Sequence, residues 1–163
     1  MAQRRSSDPI KAAARRAKAQ RRVGEGAVCT TCGEARPAAL EAGSKPRVCA
    51  ECRRRKQGKK RTDGHHVAGR NNSPLTIEVP VNDHRAELSA AQCEWPSTTL
   101  QNPDGSPFLA AAACIRGVAD TIAYLIRRFL LWIAEMLEKY DNQLRDDFGP
   151  KWWSGTSIES YAP

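Results

Sequence analysis

Three histidines and four cysteines carry the reactive groups of this 163-residue chain. His65, His66 and His84 all fall within HHVAGRNNSPLTIEVPVNDH. Imidazole titrates nearest neutrality of any side chain, so it can both ligate a metal and take a proton. Four of the six cysteines form two C-x-x-C pairs, Cys29/Cys32 and Cys49/Cys52, with sixteen residues between them. Each pair sets two thiolates on one tight turn, and two such turns close a tetrahedral S4 site that suits Zn2+. Four thiolates leave no position open for water or substrate, so this zinc is expected to be structural. A C-x-x-C pair can also cycle between thiol and disulfide, which is the redox alternative.

The elements that must position the histidines are legible from periodicity. Thr76 to Val81 alternates, with Ile77, Val79 and Val81 on one face, and Pro80 marks a strand edge or end. Gly69 and Asn71-Asn72-Ser73-Pro74 supply turn residues, which puts His65 and His66 on a preceding strand. Asp83 to Trp95 reads as a short helix starting near His84. Strand, loop, strand and helix in that order would bring the three histidines into one small cleft.

These residues resemble the HNH endonuclease family, which has the ββα-metal fold. The match is His65-His66, Asn72 and His84, in the family's order and with similar spacing, inside a His-His-x-x-Gly-Arg-x-Asn context. It covers residues 62–95, about a fifth of the chain. The resemblance implies that His65 and His84 hold one divalent metal such as Mg2+, Mn2+, Ni2+ or Zn2+. It implies that His66 is the general base that activates water and that Asn72 pins the loop orienting it. Many members carry a C-x-x-C pair just before the last histidine; here that place is Val81-Asn82-Asp83, and Leu88 stands four residues after His84. Water, Asn82 or Asp83 would then complete the shell of the ion. Arg70 and Arg85 flank the site and by charge would contact phosphates.

Charge divides the chain. Residues 1–61 carry 18 Lys or Arg against 5 Asp or Glu, and residues 62–163 carry 8 against 13, so the net of +8 is a basic half followed by an acidic one. Such asymmetry points to a polyanion-binding N-terminal half. Residues 1–26 form an Ala-rich basic arm in which Asp8-Pro9 reads as a helix start. The arm is either a solvated tail or a segment that orders against phosphates. Residues 27–61 hold the zinc ribbon and a basic linker, in which Arg53, Arg54, Arg55, Lys56, Lys59, Lys60 and Arg61 are candidates for phosphate contact.

Residues 96–107 read as a loop. Residues 108–163 read as a long amphipathic helix or helical hairpin with a Trp-rich tail, starting at Ser106-Pro107 and stopping at Gly149-Pro150. Gly117 is a candidate interruption. One apolar stripe, Ile115, Val118, Ile122, Leu125, Phe129, Trp132 and Met136, keeps a 3-4 spacing. Either the helix packs on its own metal module, or residues 108–148 form a homodimer that sets two sites on one duplex. Arg116, Asp120, Arg127, Arg128 and Glu135 interrupt the stretch and argue against a membrane span. Trp152 and Trp153 read as anchors, and Cys93 and Cys114 as buried thiols.

The fold class expected is small α+β: a ββα-metal unit, a zinc ribbon and a long C-terminal helix. The function expected is a metal-dependent DNA endonuclease, cytoplasmic because no secretory signal is visible. Its rivals are a catalytically inactive zinc-dependent nucleic-acid-binding protein and an assembly protein organised by the helix.

Overall fold

The computed structural model describes residues 9–161, with side chains from residue 13 onward. The expected N-cap Asp8 lies outside the described residues. The chain divides after Tyr124 into two compact units.

In the first unit, α1 (Pro9–Val23) is the Ala-rich arm, with proline at the first helical position where no N–H is needed. Its last residue, Val23, joins Cys29, Leu40 and Cys49 in a small core with Ala27, Val48 and Cys52 around it. Helix α2 (Ala50–Lys56) follows Cys49, and Arg53 to Lys56 therefore belong to a helix, where a linker was expected. Glycine at 58 turns the chain with a positive φ of 66°.

Strands β1 (Thr62–His66) and β2 (Thr76–Pro80) pair antiparallel, with His65 opposite Ile77 and His66 opposite Thr76. The expected inward face holds: Val79 packs with Leu88 and Tyr124, and Ile77 lies against them. Beyond Pro80 the chain turns directly into helix, α3 (Val81–Asp83), one π turn (His84–Leu88) and α4 (Ser89–Gln92) running end to end. This helix starts and stops two to three residues earlier than its sequence suggests, and the N–H of its first residue, Val81, still bonds Arg61 C=O, 3.0 Å, at the end of the ladder.

The expected loop 96–107 contains a short helix, α5 (Ser97–Gln101). Asn102 closes it in the left-handed conformation and then accepts from Ser106 N–H, 2.8 Å, to start α6 (Pro107–Phe148). Gly117 does not interrupt α6. It is buried against Val67, in the same stripe as Ala113 and Tyr124.

The second unit holds the C-terminal half of α6 and the tail. Gly149, φ +91°, ends the helix with its N–H on Arg145 C=O. Trp152 folds back, its indole N–H donating to Asp141 at 2.8 Å, and stands edge-on to Trp153. Among its described residues the tail adds a 3-10 turn (Glu159–Tyr161). The chain is thus a small mixed helix and sheet protein with one two-stranded sheet and a long C-terminal helix. By length and composition alone that helix could cross a membrane, although charged side chains interrupt it.

Candidate metal centres and the histidine site

The four cysteines converge. Cys29, Cys32, Cys49 and Cys52 bring their sulfurs within 4.8 Å of one another, close enough to hold one metal ion. Cys32 and Cys49 are 3.7 Å apart. A tetrahedral Zn–S4 site with bonds of about 2.3 Å sets its sulfurs about 3.8 Å apart, so the spacing matches. The first pair sits on a knuckle closed by Gly33 N–H to Cys29 C=O, with Gly33 at φ +76°. The second pair is not a second knuckle. Cys49 caps α2, its sulfur accepting from Cys52 N–H, and Cys52 lies in the first turn.

Backbone N–H groups of Thr31, Cys49 and Cys32 overcome the opposing effect of burial and bring the Cys29 thiol down to about 6. Burial and the neighbouring sulfurs push Cys52 up. One thiolate thus forms readily and crowds the others, a conflict that a divalent cation relieves.

His65 and His84 also meet. Their rings stand edge to face with centroids 5.3 Å apart. His65 is 1% exposed, and burial, then the charges of His84 and His66, push its pKa down to about 4. It is therefore a neutral imidazole at physiological pH. Gln92 donates its side-chain N–H to His66 C=O and also to Val67 C=O, 3.2 Å, which aims the amide nitrogen at His65 Nε2, 3.4 Å. His65 Nδ1 is buried with no partner.

His66, next in the strand, is half-buried and anchored separately: its Nδ1 lies 3.3 Å from Ser73 C=O. A carbonyl only accepts, so Nδ1 carries the hydrogen and Nε2 keeps the lone pair. Asn72 pins the loop between the strands, its amide donating to Ala68, Thr99 and Leu100 carbonyls at 3.0–3.3 Å. This ties the loop to α5, a partner the sequence does not announce.

Asn82 and Asp83 are engaged by residues of the cysteine module and by α6. Asp83, 3% exposed, accepts from Arg36 at 2.7 Å and from the Tyr124 hydroxyl at 2.8 Å. Asn82 bonds Glu51 through both its N–H and its side-chain oxygen, and its amide reaches Glu34. Leu88 is core. Among the described residues, the four cysteines are therefore the only place where three or more His, Cys, Asp or Glu ligands gather, and His65–His84 is a pair.

Arg36 was missed from sequence. It pairs with Glu34, Asp83 and Glu87 at once, tying the cysteine module to the helix that carries His84. Asp63 was missed too, and contacts both His84 and Arg54.

The basic candidates divide into two groups. Arg53 and Arg85 pair with the two oxygens of Glu41, Arg54 with Asp63, and Lys60 with Glu78. Arg55, Lys56, Lys59, Arg61 and Arg70 are exposed. Arg53, Arg54, Lys59, Lys60 and Arg85 together line a concavity of about 390 Å3. Cys93, which follows the last turn of α4, and Cys114, on α6 beside the buried Ala113, are exposed, contrary to expectation.

No family model, curated protein or solved structure matches the chain.

Proposed function

We propose that the chain is a metal-dependent DNA endonuclease of the HNH type, its cysteine module structural and its histidine site hydrolytic. The observation that carries the reading is the His65–His84 ring pair of 5.3 Å at the strand–strand–helix junction. Two imidazoles sharing one ion at about 2.1 Å and a tetrahedral angle hold their centroids about 5 Å apart. A divalent ion held by the pair would stabilise the charge that develops on a phosphodiester as it is attacked.

The chain's own residues supply the remainder. His66, with Nδ1 held by Ser73, offers Nε2 to a water proton, the role of a general base. Asn72 fixes the loop that carries this acceptor. Arg61 and Arg70 are exposed beside the strand and its loop, and would meet phosphates on either side of the cut. With two protein ligands, the remaining positions are left to water and phosphate.

The test is nicking of supercoiled plasmid by wild type and His66→Ala with EDTA, Mg2+, Mn2+, Ni2+ or Zn2+. Metal-dependent cleavage lost in the variant supports the reading. Tight, salt-sensitive DNA binding with no cleavage in any metal would favour the inactive zinc-dependent binding protein, a rival that the two-residue ligand set keeps in play. The homodimer through residues 108–148 is part of the same proposal: Ile115, Phe129 and Trp132 of its stripe are 72%, 58% and 57% exposed.

A further inference from the structure

Asp63 lies outside the motif residues, yet both its oxygens are engaged at the site. Oδ2 is 3.3 Å from His84 Nδ1, and Oδ1 is 2.8 Å from an Arg54 guanidinium N–H. Asp63 and His65 are two residues apart in β1, so they share one face of the sheet. An ionised carboxylate only accepts, so the imidazole nitrogen facing it must carry the hydrogen. The lone pair of His84 is then at Nε2. With both oxygens committed, Asp63 acts through His84 and is not itself a ligand.

Arg54 in turn is fixed. The same guanidinium nitrogen donates to Thr62 C=O at 3.1 Å and Lys60 C=O at 3.3 Å. It sits in α2, two residues after Cys52.

Resting on the nuclease reading of His84, we propose that Asp63, anchored by Arg54, is a positioning residue that holds His84 in its Nδ1–H tautomer and presents Nε2 to a divalent metal. Carboxylate partners of this kind orient metal-binding histidines and raise their basicity. The cysteine module thereby reaches the histidine site through one side chain.

Asp63→Asn tests this with almost no change of shape. Arg54 can only donate, so the new amide turns its oxygen to Arg54 and its NH2 to His84 Nδ1, which must then accept. The hydrogen moves to Nε2 and blocks the ligand position. The experiment uses full-length protein carrying zinc in its four-cysteine site. Long-range 1H–15N spectra of labelled histidine report the tautomer, and Mn2+ titration by calorimetry reports the affinity.

Wild type should show His84 as Nδ1–H and Asp63→Asn as Nε2–H, with Mn2+ binding about 10–100-fold weaker in the variant. His66→Ala should leave both readings unchanged. An unaltered tautomer and unaltered Mn2+ affinity in Asp63→Asn, with cleavage intact, overturns the positioning role and leaves the nuclease reading standing. Tautomer inversion with no Mn2+ binding by wild type overturns the metal-ligand role and the nuclease reading together. Arg54→Ala is the second variant: it should keep the tautomer and weaken Mn2+ binding, and unchanged binding would overturn the anchoring.

Discussion

Gly117, in the N-terminal third of α6, packs directly on the carbonyl of Val67, leaving no room for a Cβ between helix and strand end. Val67 follows His66, so this contact seats the long helix against the end of β1 that carries the histidines. Alanine normally improves a helix by about 1 kcal/mol over glycine. Here the added methyl meets backbone, which cannot rotate away. Gly117→Ala should therefore destabilise the protein by about 2 kcal/mol, the middle of the range for overpacking. Urea unfolding would show it, and a stabilised variant would mean that the helix does not seat there.

The cysteine module has a core of four buried residues, two of them cysteines. So small a core cannot offset the ordering of its loops, and the metal must contribute to folding. Purified protein should carry one zinc per chain, and Cys49→Ser should lose both the zinc and the helix α2 that Cys49 caps. Metal analysis with far-ultraviolet circular dichroism checks it. Full zinc retention in the variant would exclude the four-sulfur site.

Arg36 should be the costliest single surface arginine to remove. Arg36→Ala takes a cation away from Asp83, whose side chain is 4% exposed, and from Glu34, 12% exposed. Losing one partner of a buried pair costs about 3–5 kcal/mol, and the low end applies because Arg36 itself is 36% exposed. Arg55→Ala, on the exposed face of α2, should cost under about 0.5 kcal/mol. Equal effects in a denaturant series would refute the keystone role.

Acid should act through Glu41. Burial opposes its charge, but the hydrogen bonds from Arg85 and Arg53 outweigh this and hold its carboxyl below the ordinary range. A carboxyl depressed in the folded state adds stability that is complete above its unfolded pKa and lost as pH falls through the folded one. Stability should thus decline below about pH 4.5, and Glu41→Gln should flatten that decline. Parallel slopes for wild type and variant over this range would argue that the pair contributes nothing.

Phe129 and Trp132 stack at 6.2 Å on an exposed face of α6. If that face is the seam of a homodimer, Phe129→Glu should convert a dimer to a monomer in sedimentation velocity at micromolar concentration. A monomeric wild type would remove the two-sites-per-duplex part of the proposal and leave the hydrolytic site untouched.

Several features follow from the sequence alone because their causes are local. The two C-x-x-C pairs bring four sulfurs together, Thr76 to Pro80 forms the expected strand with Val81 already helical, Ser106 starts the long helix and Gly149 ends it. Spacing, period and caps act within a few residues, so they survive without knowledge of the fold. Tertiary structure alone decided which charges are spent internally. Arg36 meets Asp83 across 47 positions and Glu87 across 51, and Arg85 meets Glu41 across 44. The same holds for the face of α6 that is buried: the small stripe of Ala113 and Gly117 packs while the larger apolar stripe stays exposed. Close approach to the Val67 backbone favours small side chains, and neither that approach nor the pairing of distant charges leaves a periodic trace in the chain.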